Sequence, residues 1–431
     1  MAAGSRSIGK QRLLLITPEN REVRRFRRWQ FNNFIQLTMP YLAGFVDERS
    51  FEISLVDEFH QTIPFNARYD LVAITVNTPN ASHCYSLAER FRRQGAWVVL
   101  GGPHVTLLPE EAIGKADTVM VGEAEETWPR FLADFLNHRA VPRYQAVQAP
   151  SLRGLPQARR DLVRGRWFTR GAVFATRGCP FACRYCNLKQ IYHPTFRTRP
   201  IEEVVSEIKA MPERQFVFWD DNLFGEPEYA RQLLTELRPL KRRWAAQVSM
   251  DRCRDQQLLM LARESGCQYL FLGLESFSDQ SLAGVDKAAN RVEDYREVVG
   301  SIHRHGISVQ AGVIFGFDQD GPEVFRETLQ ACESLGIDGV TPSVLTPFPR
   351  TPLFEKWSHA GRLAHTDWRW YNGKTRVAFT PNRMTADELF RGYTWFREQV
   401  FSLRSIVKRL RVSRTNVLPN LLLNLGYKWS L

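Results

Sequence analysis

The sequence predicts an α/β protein made of an N-terminal Rossmann-like (flavodoxin-like) parallel sheet, a partial (β/α)6 barrel and a mainly helical C-terminal extension. Three observations predict it. Short β-rich apolar runs alternate with helical periodicity from residue 11 to about 140, the alternation resumes as six strand–helix units between 171 and 350, and helical spacing takes over from about 385. With 431 residues, 44% of them hydrophobic, the chain can fill a sizeable core in each of two or three domains. A disordered tail, a collagen-like fibre and a disulfide miniprotein are excluded.

In the first part the apolar runs are RLLLI (12–16), FEISLV (51–56), LVAITV (71–76) and WVVLGG (97–102). Helical periodicity in SHCYSLAERFRRQ (82–94) connects the last two, so a parallel sheet with helical crossovers is the economical assembly over residues 1–140. Such sheets bind ligands at the carboxyl ends of their strands. The loops there carry Thr75, Asn77 and Thr78, then Gly101, Gly102 and His104, then Gly122, Glu123 and Glu125. Two glycines directly after a strand let a large flat ligand approach the backbone, and they equally suit a tight strand-to-loop turn.

Residues 141–170, rich in Arg, Pro and Gly, read as a linker. The barrel follows over 171–350 with AVFAT (172–176), QFVFW (215–219), WAAQVS (244–249), YLFLGL (269–274), VQAGVIFG (309–316) and VTPSVL (340–345), each run leading into a helical pattern. Its functional groups are expected at the strand carboxyl ends. The extension, 351–431, is aromatic and loop-rich at TDWRWYNG (366–373) before it turns helical.

The formal charge is +12, from 58 Lys+Arg against 46 Asp+Glu, and it belongs to the ends. Residues 1–28 hold eight basic and two acidic residues, and 391–431 hold eight and one, which leaves the middle nearly neutral. That distribution disfavours a nucleic-acid-binding face. FSLRSIVKRLRVSRTNVLPNLLLNL (401–425) interleaves apolar residues with Arg404, Lys408, Arg409, Arg411 and Arg414. It reads as a surface helix on an anionic membrane, or as a packed helix with a solvated basic face. The start lacks the apolar core of a secretory signal, and no run approaches the roughly 18 apolar residues of a membrane span. A cytoplasmic protein, with or without membrane association, is expected.

Seven cysteines are an odd count for a disulfide framework. Cys84, Cys253, Cys267 and Cys332 lie singly in apolar or helical stretches and read as small buried hydrophobes in a reducing compartment. Cys179, Cys183 and Cys186 crowd into GCPFACRYCN (178–187), after a strand, where three thiolates can serve one soft metal centre. A tetrahedral zinc site needs a fourth ligand, for which His193 is the one candidate nearby. An iron–sulfur cluster on three cysteines leaves one iron open to chelate and reduce a substrate.

This arrangement, with Tyr185 just before the third cysteine, resembles the signature of the radical S-adenosylmethionine (SAM) enzymes. The resemblance implies a [4Fe-4S] cluster on Cys179, Cys183 and Cys186, SAM bound to its open iron, and an electron donor such as flavodoxin or ferredoxin. Reductive cleavage then gives methionine and a 5′-deoxyadenosyl radical. FWDDNLFG (218–225) is similar to the acidic patch of many members, and FLGLES (271–276) and GVIFG (312–316) fall where the family contacts SAM. Asp220, Asp221, Asn222, Glu275, Gly312 and Gly316 are thereby implied as SAM contacts.

LVDE (55–58), GGPHVTLLPEE (101–111) and VGEAEETWPRFL (121–132) are similar to the cobalamin-binding half of the B12-dependent subgroup, which is class B methyltransferase-like. Thr75, Asn77, Thr78, Gly101, Gly102 and Glu123 are implied as cobalamin contacts. The subgroup's best-known activity is methylation, here of an unactivated carbon in a lipid, a tetrapyrrole or another secondary metabolite. The sequence departs from the Asp-x-His-x-x-Gly pattern of many cobalamin proteins. The loop after the first strand, TPENREVRRF (17–26), holds no His, and His60 and His104 read as hydrogen-bonded structural residues. The aromatic and basic residues of 346–409 suit either a substrate pocket or a cap on the barrel mouth. Two other readings stay open: an oxidative cyclase, epimerase or rearranging enzyme without methyl transfer, and a non-catalytic metal-binding scaffold.

Overall fold

A computed structural model describes residues 9–27, 33–164, 169–192, 196–287 and 289–431. His193 lies outside them. The chain divides into two compact units, the first built from the segments up to 20, 36–150 and 155–164, the second from 21–35, 151–154 and the chain from 169 onward.

The first unit is a six-stranded parallel sheet of β1 (Gln11–Thr17), β2 (Phe51–Asp57), β3 (Leu71–Thr75), β4 (Trp97–Gly101), β5 (Thr118–Val121) and β6 (Arg143–Gln145), in the order β2-β1-β3-β4-β5-β6. Leu13, Leu14, Leu15 and Ile16 are fully buried, as are Leu71 and Val72, because helices cover both faces of such a sheet. The helix α1 (Ala81–Arg93) turns Cys84, Leu87, Ala88 and Phe91 inward, and α2 (Thr127–Leu136) does the same with Trp128, Phe131 and Leu132. The winding reverses between β1 and β3, so the carboxyl ends of those two strands flank the crevice where ligands of such sheets sit.

The stretch read as a linker is not one along its whole length. Residues 143–145 form the edge strand β6, with Val119 opposite Arg143 and Tyr144 buried. Arg159 donates its backbone N–H to Pro40 and pairs with Glu48 and Asp161. A three-residue strand with a single apolar side chain leaves no periodicity for a sequence reading to find.

The second unit contains six parallel strands lying side by side in chain order: β7 (Ala172–Val173), β10 (Gln215–Phe218), β11 (Arg243–Val248), β12 (Cys267–Glu275), β13 (Ser308–Phe315) and β14 (Gly339–Val344). Between β7 and β10 a short antiparallel pair, β8 (Thr176–Gly178) and β9 (Phe196–Thr198), brackets the cysteine loop. The helices α3 (Ile201–Ala210), α4 (Pro227–Leu237), α5 (Gln256–Glu264), α6 (Tyr295–Arg304) and α7 (Val324–Leu335) alternate with the strands and bury one stripe each. The extension adds α8 (Pro352–His359), α9 (Ala386–Val400), α10 (Leu403–Ser413) and α11 (Val417–Lys428) to this same unit. Gly392 of α9 lies so close to α7 that a Cβ there would sit 2.0 Å from Phe325.

The basic C-terminal segment is not a helix with all its cations in solvent. Arg409 is fully buried and donates to Ile337 O, Asp338 O, Val400 O and Asn424 Oδ1 at 2.6–3.2 Å. Among the described residues no helix is long and apolar enough to cross a membrane.

Candidate functional site

The second unit gathers its reactive side chains at the carboxyl ends of its strands. Asp220, two residues beyond β10, is 4% exposed and accepts from Ala175 N–H, Thr176 N–H and Thr176 Oγ1. By taking these donors it ends β7 and turns the chain into β8, the strand that leads to Cys179. Asp221 Oδ2 accepts from Gly178 N–H at 3.1 Å, one residue before Cys179. Asn222 Oδ1 accepts from Ser249 N–H at 3.0 Å, and its Nδ2 lies 3.9 Å from Cys179 Sγ. The consecutive acids and amide therefore hold one wall of the cysteine loop.

The other wall comes from β12. Its ladder to β13 shifts register between Gly273 and Glu275, and Glu275 adopts φ 64°, a left-handed conformation that is uncommon outside glycine and clusters at functional sites. Glu275 Oε1 accepts from Tyr185 OH at 3.0 Å and from Lys287 Nζ at 3.1 Å, with side chains only 12% and 17% exposed for Glu275 and Lys287. Gly273 makes room for this pair, since a Cβ there would lie 2.3 Å from Glu275 Oε1. Asn290 Nδ2 donates to Gly273 O and Leu274 O and fixes the bulge.

Burial pushes all three loop thiols up, Cys186 to about 12, while Lys287 pulls Cys179 and Cys183 back down. The Cys186 thiol feels both Cys183 and Cys179. Burial acts to lower the Lys287 ammonium, but Glu275, Cys183 and Cys179 outweigh it and raise the group. Burial also lifts the Asp220 carboxyl to about 7 against the hydrogen bonds from Thr176 and Ala175.

Among the described residues, no three His, Cys, Asp or Glu side chains are arranged to hold one metal ion. Tetrahedral zinc needs its ligands to converge on a point. A four-iron cluster takes each thiolate on a different iron, so its ligands are spread around it. Three thiols in one loop beside a buried cation suit a cluster that leaves one iron open, and binding would draw off the protons that burial holds on them.

In the first unit the crevice loops are internally bonded. Glu19 N–H donates to Glu58, and Glu58 takes His83 at 2.7 Å. His104 is fully buried, with Nδ1 3.3 Å from Thr78 Oγ1 and Nε2 3.6 Å from Glu111. Asn77 and Asn80 cap each other across the turn after β3, and Asn77 is exposed at the crevice. His83 is thus held by Glu58, and His104 is packed between Thr78 and Glu111.

A cavity of about 670 Å³ opens in the extension, lined by Phe354, Leu363, His365, Trp368 and Tyr371 among others. Phe354 belongs to α8, whose Leu353 N–H donates to Arg184 O inside the cysteine loop. The aromatic cavity is therefore one helix away from the thiols.

Two family models match the chain: a B12 binding domain over residues 33–132 and the radical SAM superfamily over residues 173–332. The chain is 31% identical over 382 residues to the bacteriochlorophyllide d C-12(1)-methyltransferase of Chlorobaculum tepidum, covering 84% of this chain and 81% of that protein. It is a B12-binding member of the radical SAM superfamily. The bacteriochlorophyllide d C-8(2)-methyltransferase of the same organism is 29% identical over 340 residues, covering 74% and 75%. Among solved structures, the radical SAM methyltransferase TsrM of Kitasatospora setae, with cobalamin and a [4Fe-4S] cluster bound, superposes with TM-score 0.65 at 17% identity. That alignment covers 83% of this chain and 79% of TsrM, and it establishes the fold. Family membership makes the chain an enzyme whose cofactors are a [4Fe-4S] cluster, SAM and cobalamin.

Within this radical SAM enzyme several sequence-implied contacts have other work. Asp220 spends its carboxylate on the β7–β8 backbone at Ala175 and Thr176. Asp221 likewise braces Gly178. Gly312 accommodates Phe271, 3.0 Å from where its Cβ would be, and Gly316, at φ 103°, accommodates Leu389 and Phe379 at 2.8 and 2.9 Å. Both glycines serve internal packing. Gly102, at φ 98°, makes the tight turn against Thr75 Oγ1 and Val76 N, and Gly101 has ordinary contact with Met120. Thr75 and Thr78 are buried, whereas Asn77 and Glu123 keep exposure at the carboxyl edge. The sequence reading missed Lys287, which stands in AGVDKAAN with only the adjacent Asp286 as a local charge and nothing to tie it to the cysteine loop.

Proposed function

We propose that this enzyme transfers a methyl group to an unactivated carbon of a flat, apolar tetrapyrrole or a comparable lipid. The observation that carries the reading is the union of a B12-binding domain and a radical SAM domain in one chain that is similar over most of its length to methyltransferases, with three clustered thiols at the carboxyl end of the barrel. The proposed cluster ligands are Cys179, Cys183 and Cys186. When bound, the cluster and SAM supply one-electron reduction and hydrogen abstraction, and cobalamin supplies methyl donation.

The chain's own residues set the geometry. Asp220, Asp221 and Asn222 fix the entry to the cysteine loop, and Tyr185 ties the loop to Glu275. Glu275 and Lys287 present opposite charges where an amino-acid moiety needs both, the carboxylate for an ammonium and the ammonium for a carboxylate. Asn77 and Glu123 are proposed corrin contacts, with Thr75, Thr78, Gly101 and Gly102 shaping the loops behind them. The aromatic cavity beside α8, within the usual size range for small-molecule sites, suits a large planar substrate. The relatives act, by name, on bacteriochlorophyllide d, and this favours a tetrapyrrole. An external electron donor such as flavodoxin or ferredoxin completes the reading, and a lipophilic substrate makes membrane contact useful.

The test is anaerobic reconstitution with iron, sulfide, SAM, cobalamin and a magnesium tetrapyrrole, followed by product mass. A gain of one methyl mass, dependent on cobalamin, is expected. SAM cleavage with a product that has lost hydrogen, or is unchanged in mass, favours an oxidative cyclase or epimerase and rejects methyl transfer.

A further inference from the structure

The last two helices are built inside out. On α10 the inward residues are Ser405, Ile406, Arg409, Leu410 and Ser413, while Leu403, Val407 and Val412 face out at 56%, 42% and 50% exposure. On α11 the fully buried positions include Asn420 and Asn424, and Val417, Leu418, Leu422 and, just past its end, Trp429 face out at 49%, 66%, 48% and 56%.

The inversion has a cause within the barrel. The amino ends of β13 and β14 bury Ser308 and Asp338, and the helices answer with polar groups. Asn420 Nδ2 bonds Ser308 Oγ at 3.0 Å and Asp338 Oδ1 at 2.8 Å, and Asn424 Nδ2 bonds Asp338 O at 2.7 Å. Their apolar side chains are left on the outside, on two consecutive helices at the barrel end opposite the thiols. A single exposed leucine is ordinary, whereas an apolar stripe continued over two helices marks a surface that binds something.

We infer that α10 and α11 form a docking surface for an anionic lipid leaflet. Charge selects this occupant. No acid follows Glu398, and Arg404, Arg411, Arg414 and Lys428 accompany the apolar residues without an acidic neighbour in their own segment. Among the described residues Lys408 is neutralised, by Glu333 at 2.6 Å. A second copy of the chain docked face to face would set these cations against their own equivalents, whereas anionic headgroups neutralise them as the leucines and Trp429 enter the acyl boundary. Helices of 11 and 12 residues extend roughly 17 Å, too short to cross about 30 Å of hydrocarbon, so the contact is peripheral. This surface does not rest on the methyl-transfer reading.

The test is co-sedimentation of the full-length chain with mixed phosphatidylcholine–phosphatidylglycerol vesicles and with pure phosphatidylcholine vesicles. Binding to the mixed vesicles, weakened by salt and much reduced on pure phosphatidylcholine, is expected. The variant L418Q/L422Q/W429Q should bind at least tenfold more weakly with an unchanged thermal transition, because the side chains replaced are exposed. R404Q/R411Q/R414Q should lose about fivefold per cation, and it decides the matter if the first variant fails to fold. Wild type that stays in the supernatant with mixed vesicles, or variants that pellet as wild type does, overturns the inference. So does light scattering that shows a dimer dissolved by L418Q/L422Q/W429Q, since a second copy would then cover the face. Because no cofactor is present, none of these outcomes bears on the chemistry.

Discussion

Asp220→Asn gives the sharpest test of how the cysteine loop is held. The carboxyl is raised from an ordinary 3.8 to about 7, chiefly by burial. A folded-state value above the unfolded one means that the native chain holds this proton more tightly. The contribution to stability is therefore full below pH 3.8 and is lost as pH rises toward 7. At about 1.4 kcal/mol per pKa unit the ionised group costs the fold roughly 4 kcal/mol above pH 7. Asparagine cannot ionise, so that cost vanishes. In exchange its amide presents a donor to Ala175 N–H, which lies 3.1 and 3.2 Å from the two oxygens, at a cost of about 1–2 kcal/mol. The variant should be the less stable protein near pH 4 and the more stable one near pH 8, with the curves crossing between. Urea midpoints of the apo chain, followed by circular dichroism across that range under reducing conditions, measure this directly. Parallel curves for wild type and variant would refute the account, because they would mean that Asp220 ionises as freely in the fold as in the unfolded chain.

Three further outcomes are expected. Glu275→Gln removes the counter-charge from a Lys287 that is only 17% exposed, which should cost about 3 kcal/mol in urea unfolding and weaken SAM binding measured by equilibrium dialysis. Cys183→Ser should leave the chain folded, since the residue is only partly buried, while iron and sulfide content after reconstitution falls well below wild type. Gly392→Ala drives a methyl group into Phe325 from 2.0 Å and should lower stability by about 1–3 kcal/mol by thermal denaturation, with no effect on the iron content of the folded fraction.

Period and spacing made the architecture legible. Continuous apolar runs such as RLLLI and LVAITV become strands buried on both faces, as parallel sheets require, and the six barrel runs all appear as neighbours in chain order. Cys179, Cys183 and Cys186 stood out because three thiols within eight residues have few other reasons to be there. Roles at strand ends were less legible. Asp220 and Gly316 lie at the expected end of the barrel, yet a buried carboxylate that caps backbone N–H groups and one that binds a ligand ask for the same residue at the same place. The positions of Ala175, Thr176, Leu389 and Phe379 show the structural work that these two residues do. Lys287 illustrates the reverse case, since its significance comes from Glu275, twelve positions earlier and bent to φ 64°.

The C-terminal helices show why amphipathicity read from sequence carries a sign ambiguity. Periodicity in α10 and α11 separates apolar from polar faces, and the default assigns the apolar face to the core. That default assumes an apolar partner. Here the partner is the amino end of β13 and β14, where Asp338 is fully buried and uses its oxygens on Val309 N–H, His303, Ser413 and Asn420. A buried carboxylate with that many donors makes the polar stripe the favourable one to bury, because turning leucines inward would take Ser413 and Asn420 away from Asp338 Oδ1 and leave that buried oxygen without its donors. The outward leucines are thus a consequence of Asp338, and an Asp338→Leu chain would be expected to favour the opposite helix face. The same substitution should reduce vesicle binding without touching any residue on the docking surface, a coupling that no purely electrostatic attraction of the basic segment would produce.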